Sequence, residues 1–400
     1  MTHRVAIVGA GPSGFYAADG LLRGRPDLRI DLIDRLPTPF GLVRAGVAPD
    51  HQGTKAIVRQ FEKLLAQPDV RFAGNVEIGR DLTWEELRQD YDALIVATGM
   101  VIDRKLGVPG EEPPFVWGSW KFVAWLNGHP DFRQGPDLAR VRKVAVIGNG
   151  NVALDVARVL AKSADEMARS DIVPAAEAAI AAAPLSDIYV IGRRGPEQAS
   201  FTNNELSEMS RLGRAVALVD GDALVAVEAP AGDPTPERLR KAKNLEILRG
   251  FSANKPGSKP IALHFLFNAV PKAFATGRVE LTTAALPGGK LAVDLVITCI
   301  GYSGEDFPKG EGVFPVGWAR RGPTGTIPTN RAESHAVAQQ VLAWLAKRDP
   351  KSGTDPMPLS IDFAGWHRID KAEVAAGKPL GRPRVKLTDW KALLDVAQGS

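Results

Sequence analysis

The chain has 400 residues, 44% of them hydrophobic and 24% charged, with a formal net charge of +4. That length suggests two to three domains of ~100–200 residues each, and no run of ~18 apolar residues marks a membrane span. One cysteine, Cys299, excludes an internal disulfide, a CxxC redox pair and a four-cysteine iron–sulfur cluster. The mild positive balance fits an acidic cofactor or an acidic protein partner. Because the charge is not concentrated, it argues against nucleic acid. The N-terminus enters a strand pattern directly, without a separate apolar leader, so a cytoplasmic location is expected.

The first elements read as a β-α-β unit. "RVAIVGAG" is a β-branched run ending in glycines, "FYAADGLLRG" a helix and "LRIDLID" a second strand. A Pro- and Gly-rich loop, "RLPTPFGLVRAGVAPDHQG", precedes a helix expected from Lys55 to Leu65. "VRFAGNVEIG" reads as a strand or hairpin, and "TWEELRQDY" as a helix opened by a Thr83–Glu86 capping box. "DALIVATG" reads as a buried strand.

A second β-α-β unit opens at "KVAVIGNGNVALDVARVLA", and its second strand is "SDIYVIGRRG". An Ala-rich helical excursion lies between them. Residues 220–298 read as short strands around a basic stretch, "RLRKAKNLEILRG". "LAVDLVITCIG" is another buried strand, where Cys299 serves as a small hydrophobe. "VGWARRGPTGTIPTN" reads as a loop before a helix to about Lys347, and the last fifty residues as partly helical. The expected fold class is α/β, with two Rossmann-like dinucleotide-binding domains in a glutathione-reductase-like tandem. The expected boundaries are 1–105 for the first domain, 106–300 for the second, and 301–400 completing the first.

The two glycine fingerprints differ at one place. In "VAIVGAGPSG", Gly9, Gly11 and Gly14 form G-x-G-x-x-G, and Asp34 follows at the tip of the second strand. The glycines permit the tight turn, the approach of a pyrophosphate, and close helix–strand packing. The helix start turns its positive end to the phosphates, and the acid accepts ribose hydroxyls. A merely structural glycine turn would not require Asp34. In "VAVIGNGNVALDVAR", Gly148, Gly150 and Ala153 repeat the pattern, but the strand tip is Gly192-Arg193-Arg194. An acid there would repel a 2′-phosphate, whereas arginine pairs with it, so this half is expected to take NADP(H). The alternative for the arginines is a local ion pair with Glu205 or Glu208 downstream. Two nucleotide sites in one chain imply hydride transfer between a nicotinamide and a flavin.

Four motifs, "PFGLVRAGVAPDH" (39–51), "GNGNVALDVAR" (148–158), "IGRRGP" (191–196) and "VGWARRGPTG" (316–325), together resemble the adrenodoxin reductase family. The resemblance runs from residue 4 to "GRPRVKL" (381–387). It implies an NADPH–ferredoxin reductase that moves hydride from NADPH to FAD, then single electrons to an acidic ferredoxin-type carrier. It implies FAD contacts at Gly14, Asp34, Leu42, Ile78, Trp318, Gly325, Thr326 and Ile327. It implies NADP contacts at Arg104, Asn149, Gly150, Asn151, Val152, Arg193, Arg194, Glu205 and Gly325. It also implies proton handling near the flavin by His51 and Glu208. A monomer is expected. The chain departs from the family in having Asp34 where Glu is usual, and in a shorter segment before "VGWARRGPTG".

Read from the residues themselves, "GPTGTIPTN" puts backbone N–H groups and a positive helix end where a reduced flavin anion would gain stabilisation. Trp318 offers a flat shield or is an ordinary core Trp. His51 and Glu208 have bland alternatives, a hydrogen-bonded structural His and a solvated helix acid. Arg238, Arg240, Lys241, Lys243 and Arg249 form either a solvated face or a dock for the acidic carrier. The functional alternatives are a quinone-reducing diaphorase on the same scaffold and a non-catalytic FAD-binding module.

Overall fold

The computed structural model describes residues 2–112, 114–225, 235–283, 286–325, 327–353 and 355–399. The chain divides into two compact units. The first comprises Met1–Ile102, Asn127–Arg133 and Tyr302–Ser400, and the second Asp103–Leu126 and Gln134–Gly301.

The first unit is built on a parallel sheet. Its strand order is Val313–Pro315, Ala93–Val96, Arg4–Val8, Arg29–Asp34, Val70–Gly74. The strands read as continuous apolar runs because both faces are covered. Helix Pro12–Gly24 follows the first strand, with Pro at its first turn and Phe15, Tyr16, Ala18 and Leu21 buried. Helix Ile327–Leu345 packs against it so closely that a Cβ on Gly24 would lie 2.3 Å from Leu342 Cδ1. The core below is aromatic. Phe15 stacks on Phe61 at 4.6 Å, and Phe40 meets Trp366 edge-on at 5.4 Å.

One expectation changes here, and one open alternative closes. The helix expected at Lys55–Leu65 starts at Val58, preceded by the separate turn Gln52–Lys55, whose Lys55 turns inward and donates to Asn127 Oδ1 at 2.8 Å. "VRFAGNVEIG" supplies one strand, Val70–Gly74, and no hairpin. The Thr83–Glu86 capping box is formed as read.

The second unit carries a parallel sheet in the order Val116–Gly118, Leu295–Thr298, Lys143–Ile147, Asp187–Ile191, Ile261–Leu266, Ala215–Val219. An antiparallel meander, Val270–Ala275, Arg278–Thr282 and Lys290–Ala292, packs with Ala145, Ile147 and Val296 of that sheet. The basic stretch is not a strand. It lies on the 17-residue helix Pro236–Ser252, capped by Thr235 and anchored through Asn244, Leu245, Leu248 and Phe251. No described helix is long and apolar enough to cross a membrane.

Candidate nucleotide sites

In the first unit the strand Arg4–Val8 ends in Gly9, whose φ is +108°. A Cβ there would lie 2.4 Å from the carbonyl oxygen of Ala97, so neither the conformation nor the space admits a side chain. Gly11 caps helix Pro12–Gly24, and a Cβ there would face only Gly41 Cα, at 3.9 Å. This leaves an open cradle at a helix N-terminus. Asp34 stands beside it. Its two carboxylate oxygens accept the Ala10 and Leu36 N–H groups, each at 3.0 Å. Burial raises its pKa against the lowering effect of these bonds. Leu42 begins the short helix Leu42–Ala45, and Ile78 packs against the cluster holding Val8, Ile33 and Val76.

The loop after Val316 is tied by one acceptor. The Thr324 carbonyl takes hydrogen bonds from Trp318 Nε1 (3.1 Å) and from Arg321 Nε (3.1 Å) and an Arg321 terminal nitrogen (2.9 Å). Arg321 also donates to Asn330 Oδ1 at 2.6 Å and pairs with Glu333. Trp318 is half-buried and stacks on Tyr302 at 5.8 Å, so it is not a core Trp. Gly325 is exposed with φ +82°, and Ile327 opens the following helix. Thr326 lies outside the described residues. His51 sits at the start of Gln52–Lys55, its N–H donating to the Ala48 carbonyl at 3.0 Å.

The second unit repeats the cradle. Gly148 has φ +151°, and a Cβ on it would lie 2.3 Å from the Cys299 carbonyl oxygen. Gly150 caps helix Asn151–Ala161, and Asn151 Oδ1 accepts the Thr202 N–H at 2.8 Å. The strand Asp187–Ile191 delivers Arg193 and Arg194 to the surface. Both are exposed, and neither forms an ion pair among the described residues. Val152 lies in the first turn of the helix, and Arg104 is exposed with its N–H on the Gly301 carbonyl at 3.1 Å.

The pyridine nucleotide-disulphide oxidoreductase family model matches residues 3–189. NADPH-ferredoxin reductase FprA of Mycobacterium leprae (strain TN) is 36% identical, over 99% of both chains. The mitochondrial NADPH:adrenodoxin oxidoreductase of Arabidopsis thaliana is 34% identical, over 98% of this chain and 95% of its own. The solved structure of Mycobacterium tuberculosis FprA in complex with NADPH superimposes with a TM-score of 0.91 at 34% identity, covering 100% of each chain. The chain belongs to the adrenodoxin reductase family of NADPH-ferredoxin reductases.

The two nucleotides of the adrenodoxin reductase family, FAD and NADPH, fit the cradles. The first offers an acid at the strand tip and the open face between Gly11 and Gly41. The second offers two arginines without a counterion among the described residues. It also offers Asn149, whose side-chain nitrogen and oxygen are both buried without a hydrogen-bond partner. A buried amide left unsatisfied in this way is costly unless a ligand completes it.

The arginines do not pair with Glu205 or Glu208. Those acids are held instead by Arg158, whose side chain is wholly buried. One Arg158 terminal nitrogen lies 2.7 Å from Asp155 Oδ1 and donates to Glu205 Oε2 at 2.9 Å. Arg158 Nε lies 3.3 Å from Glu208 Oε2. The Asp155 contact is an ion contact outside hydrogen-bond alignment. One cation thus sits beneath three carboxylates at the cradle helix. Arg158 is the residue that sequence reading overlooked. Its signal was an arginine on an otherwise apolar helix, three residues after Asp155.

Proposed function

We propose that this chain is an NADPH-dependent FAD flavoprotein that passes electrons singly to an acidic ferredoxin-type iron–sulfur protein. The carrying observation is the opposite polarity of its two strand tips. Asp34 accepts backbone N–H donors at one cradle, while Arg193 and Arg194 stand exposed at the other, without an ion pair among the described residues. A carboxylate suits an adenosine ribose, and paired guanidiniums suit the 2′-phosphate of NADPH. Similarity over the whole chain to NADPH-ferredoxin reductases supports the direction of this reading.

FAD, when bound, supplies the step from two-electron to one-electron transfer. The protein's part is to bind and position. Gly9, Gly11 and Gly14 admit the first pyrophosphate, and Gly148, Asn149, Gly150, Asn151 and Val152 admit the second. The Thr324 carbonyl holds Trp318 and Arg321, fixing the loop that would present Gly325 and Ile327 to the flavin. Trp318 on Tyr302 offers an aromatic wall that excludes water. Arg158 keeps Glu205 aimed for the nucleotide and holds Glu208. Arg104 adds a further exposed cation for the nucleotide, and His51 and Glu208 handle protons.

Purified protein should be yellow and should bleach anaerobically with NADPH, but slowly with NADH. With an added [2Fe–2S] ferredoxin it should reduce cytochrome c. Bleaching without ferredoxin-dependent reduction would replace this reading with the diaphorase one, and absence of bleaching would refute both.

A further inference from the structure

Two adjacent arginines close the short helix Trp318–Arg321, and the fold treats them differently. Arg320 is exposed, and its side chain forms no hydrogen bond or ion pair among the described residues. Arg321 turns back under its own loop. Its Nε and one terminal nitrogen both donate to the Thr324 carbonyl, at 3.1 and 2.9 Å. The same terminal nitrogen donates to Asn330 Oδ1 at 2.6 Å, and the other pairs with Glu333. All three guanidinium nitrogens are thus engaged, and Arg321 and Glu333 keep only 21% and 19% of their side-chain surface. Asn330 and Glu333 stand on the first two turns of helix Ile327–Leu345.

The loop begins against the first nucleotide cradle. Gly317 has φ +65°, and a Cβ on it would collide with Ser13 Oγ. Ser13 lies in the first turn of helix Pro12–Gly24, directly after the cradle at Gly11. The same Cβ would stand 3.7 Å from Asn330 Oδ1, so the buried Asn330 touches both the start of the loop and the arginine that ties its end. Only glycine meets both demands at 317. Between these points the Trp318 indole N–H rests on the Thr324 carbonyl at 3.1 Å. One carbonyl therefore sets the Trp318 ring and the turn into Gly325, and Arg321 sets that carbonyl.

We propose that Arg321 is a positioning residue of the flavin site: it clamps the Thr324 carbonyl to helix Ile327–Leu345 and so holds Trp318 and the Gly325 backbone in place, while Glu333 balances its charge. The proposal rests on the flavoprotein reading above. Arg321 acts through Thr324 and needs no contact of its own with the cofactor. Lysine is no substitute, because a single ammonium cannot serve a carbonyl, an amide and a carboxylate in one planar fork. An unbalanced cation in this loop would favour the more negative, reduced flavin over the oxidised one, and Glu333 removes that bias.

The test uses the flavin-loaded full chain with ferricyanide as acceptor, so no carrier protein enters it. In Arg321→Met, hydrogen exchange of the loop amides of 318–325 should quicken about tenfold, and flavin fluorescence should rise as Trp318 loses its fixed place. The Kd for FAD should rise about tenfold, and kcat should fall about fivefold with the KM for NADPH within about twofold. Arg321→Lys should recover less than half of each loss. Arg320→Met removes a charge from the same turn without touching the clamp, and should leave every readout within about twofold of the parent. Glu333→Gln should keep the exchange rates and the FAD Kd, but raise the ratio of reduced to oxidised flavin at a fixed poise about threefold. The clamp is overturned if Arg321→Met keeps the parent's exchange, fluorescence and kcat, if Arg321→Lys restores them fully, or if Arg320→Met does equal damage. An unchanged flavin ratio in Glu333→Gln would overturn the balancing role. A parent that reduces ferricyanide but no ferredoxin ends the ferredoxin reading and leaves this result standing; a parent that takes up no FAD ends both.

Discussion

Replacing Arg158 by Met would remove a buried cation beneath Asp155, Glu205 and Glu208 while keeping an unbranched side chain in the core. Arg158 is fully buried, but its partners keep 21%, 19% and 35% of their side-chain surface. Breaking a buried pair costs about 3–5 kcal/mol because the remaining charge is uncompensated. Here water reaches the carboxylates, so the lower end, about 3 kcal/mol, applies. For a unit of 150–250 residues that lowers Tm by about 6–12 °C. Glu205, no longer held, should bind nucleotide less well, and we expect the Kd for NADP+ to rise about tenfold, or about 1.4 kcal/mol. Arg158→Lys keeps the charge but cannot bridge three acids, so it should recover part of the affinity. Thermal unfolding and titration of the flavin spectrum with NADP+ give the two readouts. A Tm within 2 °C of the parent would refute the energetic argument. A lowered Tm with unchanged Kd would show Arg158 to be a strut with no role in binding.

The strand-tip arginines predict the opposite split. Arg193→Ala and Arg194→Ala should each leave Tm unchanged, since both are exposed and form no ion pair among the described residues, and should raise the KM for NADPH about tenfold with little effect on NADH. Equal effects on the two nucleotides would refute the 2′-phosphate role. The cradles should fail separately. Gly9→Ala forces a Cβ to within 2.4 Å of the Ala97 carbonyl oxygen and should yield colourless protein, while Gly148→Ala, at 2.3 Å from the Cys299 carbonyl oxygen, should keep the flavin but lose bleaching by NADPH. Visible spectra of the two variants decide it. Acid stability offers a fourth check. Burial would raise the Glu373 carboxyl, but Arg44, Arg384 and the Leu387 N–H outweigh it and lower its pKa. A carboxylate with a depressed folded pKa contributes stability above its unfolded value of about 4.3 and loses it as pH falls through the folded one. Denaturant midpoints should therefore fall steeply below about pH 4 in the parent and less steeply in Glu373→Gln; parallel curves would refute it.

The cradles were legible because their chemistry is local. A strand, a glycine turn, a helix and a tip residue lie within Arg4–Asp34 in the first half and within Lys143–Arg194 in the second. Arg158 was hidden because burial is not written in a sequence: its partners Glu205 and Glu208 come from another helix, forty-seven and fifty residues on. Helix Pro236–Ser252 was misread for a related reason. Its buried positions, Asn244, Leu245, Leu248 and Phe251, do follow a helical period, but five basic residues among them masked the apolar face. The inward turn of Lys55 onto Asn127 was equally hidden, since no local pattern brings the two near. Trp318 could not be sorted between core and wall until its indole N–H was seen on the Thr324 carbonyl.

The first unit draws its sheet from both ends of the chain: Arg4–Val8 pairs through Ala93–Val96 with Val313–Pro315, and helix Ile327–Leu345 closes over Pro12–Gly24. On the ribosome these early strands must therefore wait for more than two hundred further residues before their edge and roof exist. The second unit lies almost wholly within that interval and can condense first. Strand Ala93–Val96 thus waits for its outer neighbour until Val313–Pro315 has been made, and helix Pro12–Gly24 for its cover until Ile327–Leu345 follows.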